Sequence, residues 1–183
     1  MANLDKETDT NSNFNTNMNN ALFSYEKPTF ISYKNKKFVI ISAPTNSNLN
    51  FYLDLFKKHN VKIVVRTCES TYDSSKITEL DIHYVDLQFI DGQYPPTNIV
   101  NIWLSLVMEF SLKPDECICI HCISGLGRAP TLVVLAFIEL GMDIFDAVKY
   151  VRKKRPGSIN TTQLKFLESY KAKYKKRLSC IIC

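Results

Sequence analysis

Residues 117–141 read CICIHCISGLGRAPTLVVLAFIELG, and their order decides how the rest of the chain is arranged. Cys117 to His121 is a short apolar run that predicts a strand. Residues 129–140 are apolar on every side of a helical wheel, which predicts a buried helix, and Gly141 is the residue expected just past its end. Between them lies His121-Cys122-Ile123-Ser124-Gly125-Leu126-Gly127-Arg128. Five residues separate Cys122 from Arg128, which makes a loop tight enough for backbone N–H groups to converge on one tetrahedral anion. Ile123, Ser124, Gly125, Leu126, Gly127 and Arg128 are thus candidate phosphate-binding residues. Gly125 and Gly127 permit the backbone angles such a loop needs. The helix that follows directs its positive end at the same point, and Pro130 fits its first turn. This field favours the thiolate form of Cys122. Arg128 can grip two phosphate oxygens at once, which Lys cannot. The implied chemistry is attack of the Cys122 thiolate on phosphorus, giving a phosphocysteine. The plain alternative is a buried cysteine before an ordinary helix. A bare Cys-x5-Arg spacing is a weak signal; the preceding His, the two loop glycines and the strand–loop–helix setting strengthen it.

Working outward, Phe38–Ile41 and the β-branched run Val61–Arg66 predict two more strands, and His83–Leu87 a further one. Ser47 or Asn48 is placed to cap a helix through Leu53, Leu55 and Phe56 to about His59. Asp91-Gly92 and Pro95-Pro96 mark a loop. A helix follows from about Thr97 to Phe110, with Ile99, Ile102, Trp103, Leu106 and Phe110 as its apolar face. Asp143 caps a helix ending near Pro156-Gly157, and a last helix begins near Thr161 with Leu164, Leu167 and Tyr170 turned inward. Strands alternating with helices imply an α/β sheet covered by helices.

The chain has 183 residues, 45% of them apolar and 22% charged, which suits one globular domain with a packed core. Residues 1–24 are rich in Asn, Thr, Asp and Ser without periodicity, and are expected to be disordered. The longest apolar run, Leu132 to Ile138, falls far short of the ~18 residues that span a bilayer. No apolar h-region marks a secretory signal, so the six cysteines are expected as free thiols. Cys117 and Cys119 read as strand residues on one face, and no ligand spacing around them predicts a metal site. No cofactor is implied. The net charge of +5 is uneven: from Lys149 onward there are eleven Lys or Arg residues against one acid, Glu168. That basic end calls for an anionic partner, a lipid surface or nucleic acid.

A leaving group needs a proton, and Asp91 in Phe89-Ile90-Asp91-Gly92 is the candidate donor, although Asp-Gly is also a common turn pair. The stretches Pro44-Thr45-Asn46, Val65 to Asp73, Phe89 to Gly92, Cys122 to Pro130, Asp146-Ala147-Val148, Arg155 to Gly157 and Gln163-Leu164 resemble the phosphatase of regenerating liver family, the type IVA protein tyrosine phosphatases. The resemblance covers about residues 30–183. It implies a cysteine-phosphatase fold, a central and mostly parallel sheet flanked by helices with the nucleophile loop between a strand and a buried helix, spanning residues 25–172. It implies Cys122 as nucleophile, Arg128 as phosphate-binding residue and Asp91 as general acid, with a phosphoprotein as substrate. Cys68 is similar in position to the family cysteine that forms a reversible disulfide with the nucleophile. Ala129 stands where most of the superfamily has Ser or Thr, which implies slow turnover. Leu87-Gln88 and Ile90 depart from the family's acid loop. The loop carries no Lys, which lowers the expectation of an inositol-lipid substrate.

Residues 173–183 read as a polybasic tail ending in Cys180-Ile181-Ile182-Cys183, which fits a C-terminal prenylation box at Cys180. One lipid chain anchors only marginally, and the upstream basic residues would supply the second signal at an anionic membrane. The expected partners are therefore a prenyltransferase and the cytoplasmic face of the plasma membrane or endomembranes. Nucleic acid is the poorer explanation, since no recognition motif accompanies the charge. Two function classes follow. One is a slow protein tyrosine or dual-specificity phosphatase. The other is a near-idle phosphatase serving as a binding module for a membrane magnesium transport mediator of the cyclin M type, as the resemblance suggests. The family also implies self-association.

Overall fold

The structure is a computed structural model that describes residues 27–109 and 111–174. The expected extension 1–24, residue Phe110 and the lipidation site at Cys180 lie outside the described residues. In chain order the elements are β1 (Thr29–Tyr33), β2 (Lys36–Ile41), α1 (Leu49–Lys58), β3 (Val61–Arg66), α2 (Ser75–Thr78), β4 (His83–Asp86), α3 (Thr97–Glu109), β5 (Cys117–His121), α4 (Arg128–Glu139), α5 (Ile144–Lys154) and α6 (Thr161–Ser169). Among the described residues the strands form one five-stranded sheet in the order β1-β2-β5-β3-β4. β2, β5, β3 and β4 run parallel, and only β1 is antiparallel, paired with β2.

β5 lies at the centre with every residue buried, as a strand covered on both faces must be. Its side chains alternate between two cores. Ile118 and Ile120 face Phe38, Ile40, Ile63 and Val65 under α3 and α4. Cys117 and Cys119 face Val39, Ile41, Val61 and Val64 under α1 and α2, which is the strand role expected of these two thiols. An irregularity between Val61 and Ile63 lets Val61 and Val64 share one face.

α4 is buried along its whole length, in keeping with its all-round apolar sequence. It stops in a Schellman turn: Gly141, at φ 97°, donates to Ile138 O at 2.9 Å, and Met142 donates to Phe137 O at 2.9 Å. Asp143 caps α5 by accepting from Phe145 N and Asp146 N.

Some elements differ from expectation. Asn48 stands at the start of α1 but makes no side-chain cap; its Oδ1 accepts from Thr45 N at 2.7 Å instead. α3 buries Ile99, Val100, Trp103, Leu104 and Val107, whereas Ile102, expected inside, is 49% exposed. Two apolar stripes cross at Trp103, and periodicity alone does not choose between them. On α6, Leu167 and Gln163 are fully buried while Leu164 is half-buried, and Tyr170 falls at the helix end. β1 was not expected. It buries one residue, Ile31, and its hairpin turns at Lys34 with φ 51°, a position where Gly or Asn would signal a turn.

Candidate active site

The loops that follow β2, β3, β4 and β5 gather at the carboxyl ends of parallel strands, where α/β sheets form their crevices. Ala43, Thr67, Asp91 and Cys122 are delivered there by chain position. Cys122 follows β5 directly and is 1% exposed.

The carbonyls of the loop after Cys122 are turned outward, one by one, onto the scaffold. Thr67 donates to His121 O through both N (2.9 Å) and Oγ1 (2.8 Å). Ala43 N donates to Ile123 O at 2.9 Å. Arg155 donates from Nη2 to Ser124 O at 3.0 Å and from Nε to Gly125 O at 2.6 Å. Ile159 N donates to Leu126 O at 2.8 Å, and Thr131 donates to Gly127 O from N at 3.1 Å and from Oγ1 at 2.9 Å. In a trans peptide C=O and N–H point in opposite directions. Outward carbonyls at 123–127 therefore aim the N–H groups of Ser124, Gly125, Leu126, Gly127 and Arg128 inward, forming an anion cradle. One of these, Leu126 N, also lies 3.3 Å from Ser124 Oγ.

Gly125 has φ 69°, and a Cβ there would stand 2.5 Å from Arg155 Nη2 and 2.6 Å from Ile41 O. Only glycine fits that place. The expectation for Gly127 has a different basis: a Cβ would meet Gln163 Nε2 at 3.1 Å.

Arg128 is buried, 1% exposed, and its guanidinium is fixed from behind. Nη1 donates to Thr67 O at 3.2 Å and Phe89 O at 3.0 Å. Asp91 Oδ1 lies 3.0 Å from Arg128 Nε and Glu69 Oε2 3.8 Å from Nη1, both carboxylates being largely exposed. The Asp91 contact is an ion pair rather than an aligned hydrogen bond, because Arg128 Nε has no hydrogen-bond partner. A buried N–H without a hydrogen bond beside a cradle of inward amides is suited to a phosphate oxygen. Asp91 is also the turn residue its sequence suggested: Gln93 N donates to Ile90 O at 3.2 Å, and Gly92 takes φ 72° in the third position of the turn. Turn and site coincide. Ile90, next to it, is 74% exposed.

Behind Cys122 the side chains are buried. His121 is fully buried, and burial pushes its pKa down to about 4, leaving it neutral at neutral pH. Its Nε2 meets Tyr72 OH at 2.8 Å. Cys68 is fully buried beside it, Sγ 4.0 Å from His121 Nδ1. Burial pushes the Cys68 thiol up to about 11; the Arg128 charge opposes that shift and the Cys122 charge adds to it. Both Cys68 and Cys122 are free thiols packed in one core cluster. Among the described residues no group of three or more His, Cys, Asp or Glu side chains could hold a metal ion.

The structure brings Asp91 to within 3.0 Å of Arg128 and packs Cys68 and Cys122 in one core cluster. Arg155 was not singled out as a site residue, although it grips the cradle from behind. In the sequence Arg155 stood only within the family-like stretch Arg155 to Gly157.

A strand–loop–helix cradle with a cysteine at its base, an inward arginine and an aspartate beside it defines a cysteine-based phosphatase. The comparisons agree. The family model described as protein-tyrosine phosphatase matches residues 56–172. Protein tyrosine phosphatase type IVA 2 of Mus musculus is 45% identical over 151 residues, covering 82% of this chain and 90% of that one. PRL-1 phosphatase of Drosophila melanogaster is 44% identical over 147 residues, covering 80% and 84%. A solved Leishmania major chain described as a protein tyrosine phosphatase superposes with TM-score 0.71 at 34% identity, covering 79% of this chain and 99% of its own. The chain belongs to the type IVA protein tyrosine phosphatases.

Proposed function

We propose that this enzyme dephosphorylates phosphoproteins through a phosphocysteine on Cys122, that it turns over slowly, and that it works from a membrane to which its C-terminus is prenylated. The observation that carries the reading is the Arg128 guanidinium, buried beside inward-facing amides, its Nε without a hydrogen-bond partner and ion-paired to Asp91 at 3.0 Å. In the reaction Cys122 Sγ attacks phosphorus, the ester P–O bond breaks, and Asp91 gives its proton to the departing oxygen. The amides of Ser124 to Arg128 and the Arg128 fork hold the phosphoryl oxygens as their charge develops. Water then hydrolyses the phosphocysteine and the thiolate leaves.

That last step is the slow one. Ala129 is fully buried and carries no hydroxyl to assist the departing thiolate. The Thr131 hydroxyl in the same turn is committed to Gly127 O at 2.9 Å. Ala129 equally supports a second reading, a near-idle phosphatase whose cradle and acid loop bind a membrane protein of the cyclin M type. Under oxidation by a peroxide, the Cys122 thiolate is converted to a sulfenic acid. The Cys68 thiol then displaces water from it to give a disulfide and protect the nucleophile.

One experiment separates the readings. Purified protein is mixed with an aryl phosphate, and product and covalent phosphoenzyme are followed in wild type, Cys122→Ser and Ala129→Ser. The expected result is a burst, then slow turnover, both lost in Cys122→Ser, with a faster steady state in Ala129→Ser. Neither burst nor turnover under reducing conditions would leave the binding module as the better account.

A further inference from the structure

Asp91 sits on a turn and is 77% exposed; Arg128 reaches it from one side, through Nε at 3.0 Å and through Nη1 to Phe89 O at 3.0 Å. A second restraint comes from α6. Asn160 Oδ1 accepts from Gln163 N at 2.9 Å, and Gln163 Oε1 accepts from Asn160 N at 3.1 Å, a complete capping box. Using both oxygens on the helix end fixes the orientation of both amides, so each NH2 points the other way. Asn160 Nδ2 donates to Gly92 O at 2.9 Å, and Gln163 Nε2 donates to Gln93 O at 3.1 Å. These are the carbonyls of the two residues immediately after Asp91. Gln163 is fully buried, so water cannot replace its partner freely. The same segment holds the nucleophile loop through Ile159 N to Leu126 O at 2.8 Å and through Arg155. A capping box needs only the two oxygens; the two NH2 donations are surplus to the helix and serve the turn.

We infer that Asn160 and Gln163 are positioning residues that hold the acid turn over the cradle, so that proton delivery by Asp91 depends on them. They touch neither substrate nor reacting atoms. The inference rests on Asp91 being the proton donor, and its test checks that separately.

Gln163→Glu and Asn160→Ser each keep an oxygen for the helix end and remove the donor. One adds a charge and the other does not, which separates lost donation from added charge. kcat/KM covers the steps up to phosphocysteine formation, so slow hydrolysis does not mask it. It is measured in the full-length chain for an aryl phosphate with a poor leaving group, such as phenyl phosphate, and one with a good leaving group, such as p-nitrophenyl phosphate. Only the poor leaving group depends strongly on a proton donor. Both variants are expected to lose about tenfold to a hundredfold on phenyl phosphate and about threefold or less on p-nitrophenyl phosphate. Inhibition by inorganic phosphate should stay near wild type, reporting an intact cradle. Asp91→Asn should show the same selectivity, and adding Gln163→Glu to it should cost little more. Selective loss in Asp91→Asn but equal or no loss in the two α6 variants overturns the inference and leaves Asp91 as the acid. Absence of selective loss in Asp91→Asn overturns both.

Discussion

His121 shows how burial at one residue sets behaviour for the site. Its folded-state pKa of about 4 lies below the ordinary 6.5, chiefly because burial penalises the charged ring. The unfolded chain therefore binds a proton that the folded chain refuses. Stability from this residue is complete above pH 6.5 and is lost as pH falls through about 4, by roughly 3 kcal/mol in all. Unfolding free energies measured across that window should fall more steeply in wild type than in His121→Gln. Equal slopes would show that His121 is not the titrating group. The neutral ring also keeps a positive charge away from the back of Cys122, so the attraction for an anion comes from the cradle amides and Arg128.

At the scale of elements, the cradle depends on groups that pull its carbonyls outward, and Arg155 pulls two of them. It also donates from Nη1 to Lys27 O at 3.1 Å and Thr29 Oγ1 at 2.9 Å, tying β1 to the loop. Arg155→Met keeps much of the bulk and removes every donor. Affinity for inorganic phosphate or vanadate should fall about tenfold, since two carbonyls would be free to turn toward the anion. Unchanged inhibition constants would contradict this. Much of the element pattern was legible in the sequence. The run from Cys117 to Gly141 placed strand, loop and buried helix because periodicity, glycines and Pro130 agreed. Where signals conflicted, reading failed: α3 offered two stripes through Trp103, and β1 has one buried residue and a Lys in its turn. Cys122 and Arg128 could be read because chemistry restricts their types and spacing, whereas Asp91 was legible mainly through the family resemblance. Arg155, Asn160 and Gln163 act on backbone carbonyls far along the chain, and such partners leave no local pattern.

Across the whole molecule, the cradle and the start of the tail lie at opposite ends of α4. Arg128 begins that helix and Glu139 ends it, some 17 Å further on at 1.5 Å per residue. Glu139, 1% exposed, accepts from Lys173 N at 2.8 Å and Tyr174 N at 2.7 Å, and from the Tyr170 hydroxyl. Lys173 and Tyr174 are thus tied to the far end of α4 from the cradle. No helix among the described residues is long and apolar enough to cross a membrane. Cys180→Ser should move the protein from membrane to cytosol with catalytic constants unchanged on a soluble aryl phosphate. Retained membrane localisation would contradict prenyl anchoring. Rapid mixing of wild-type protein with an aryl phosphate, followed by quench and mapping of the modified residue, tests the phosphocysteine most directly. A burst of product matched by phosphate on Cys122, decaying slowly and faster in Ala129→Ser, is the predicted result; turnover with no phosphate on Cys122 would contradict it.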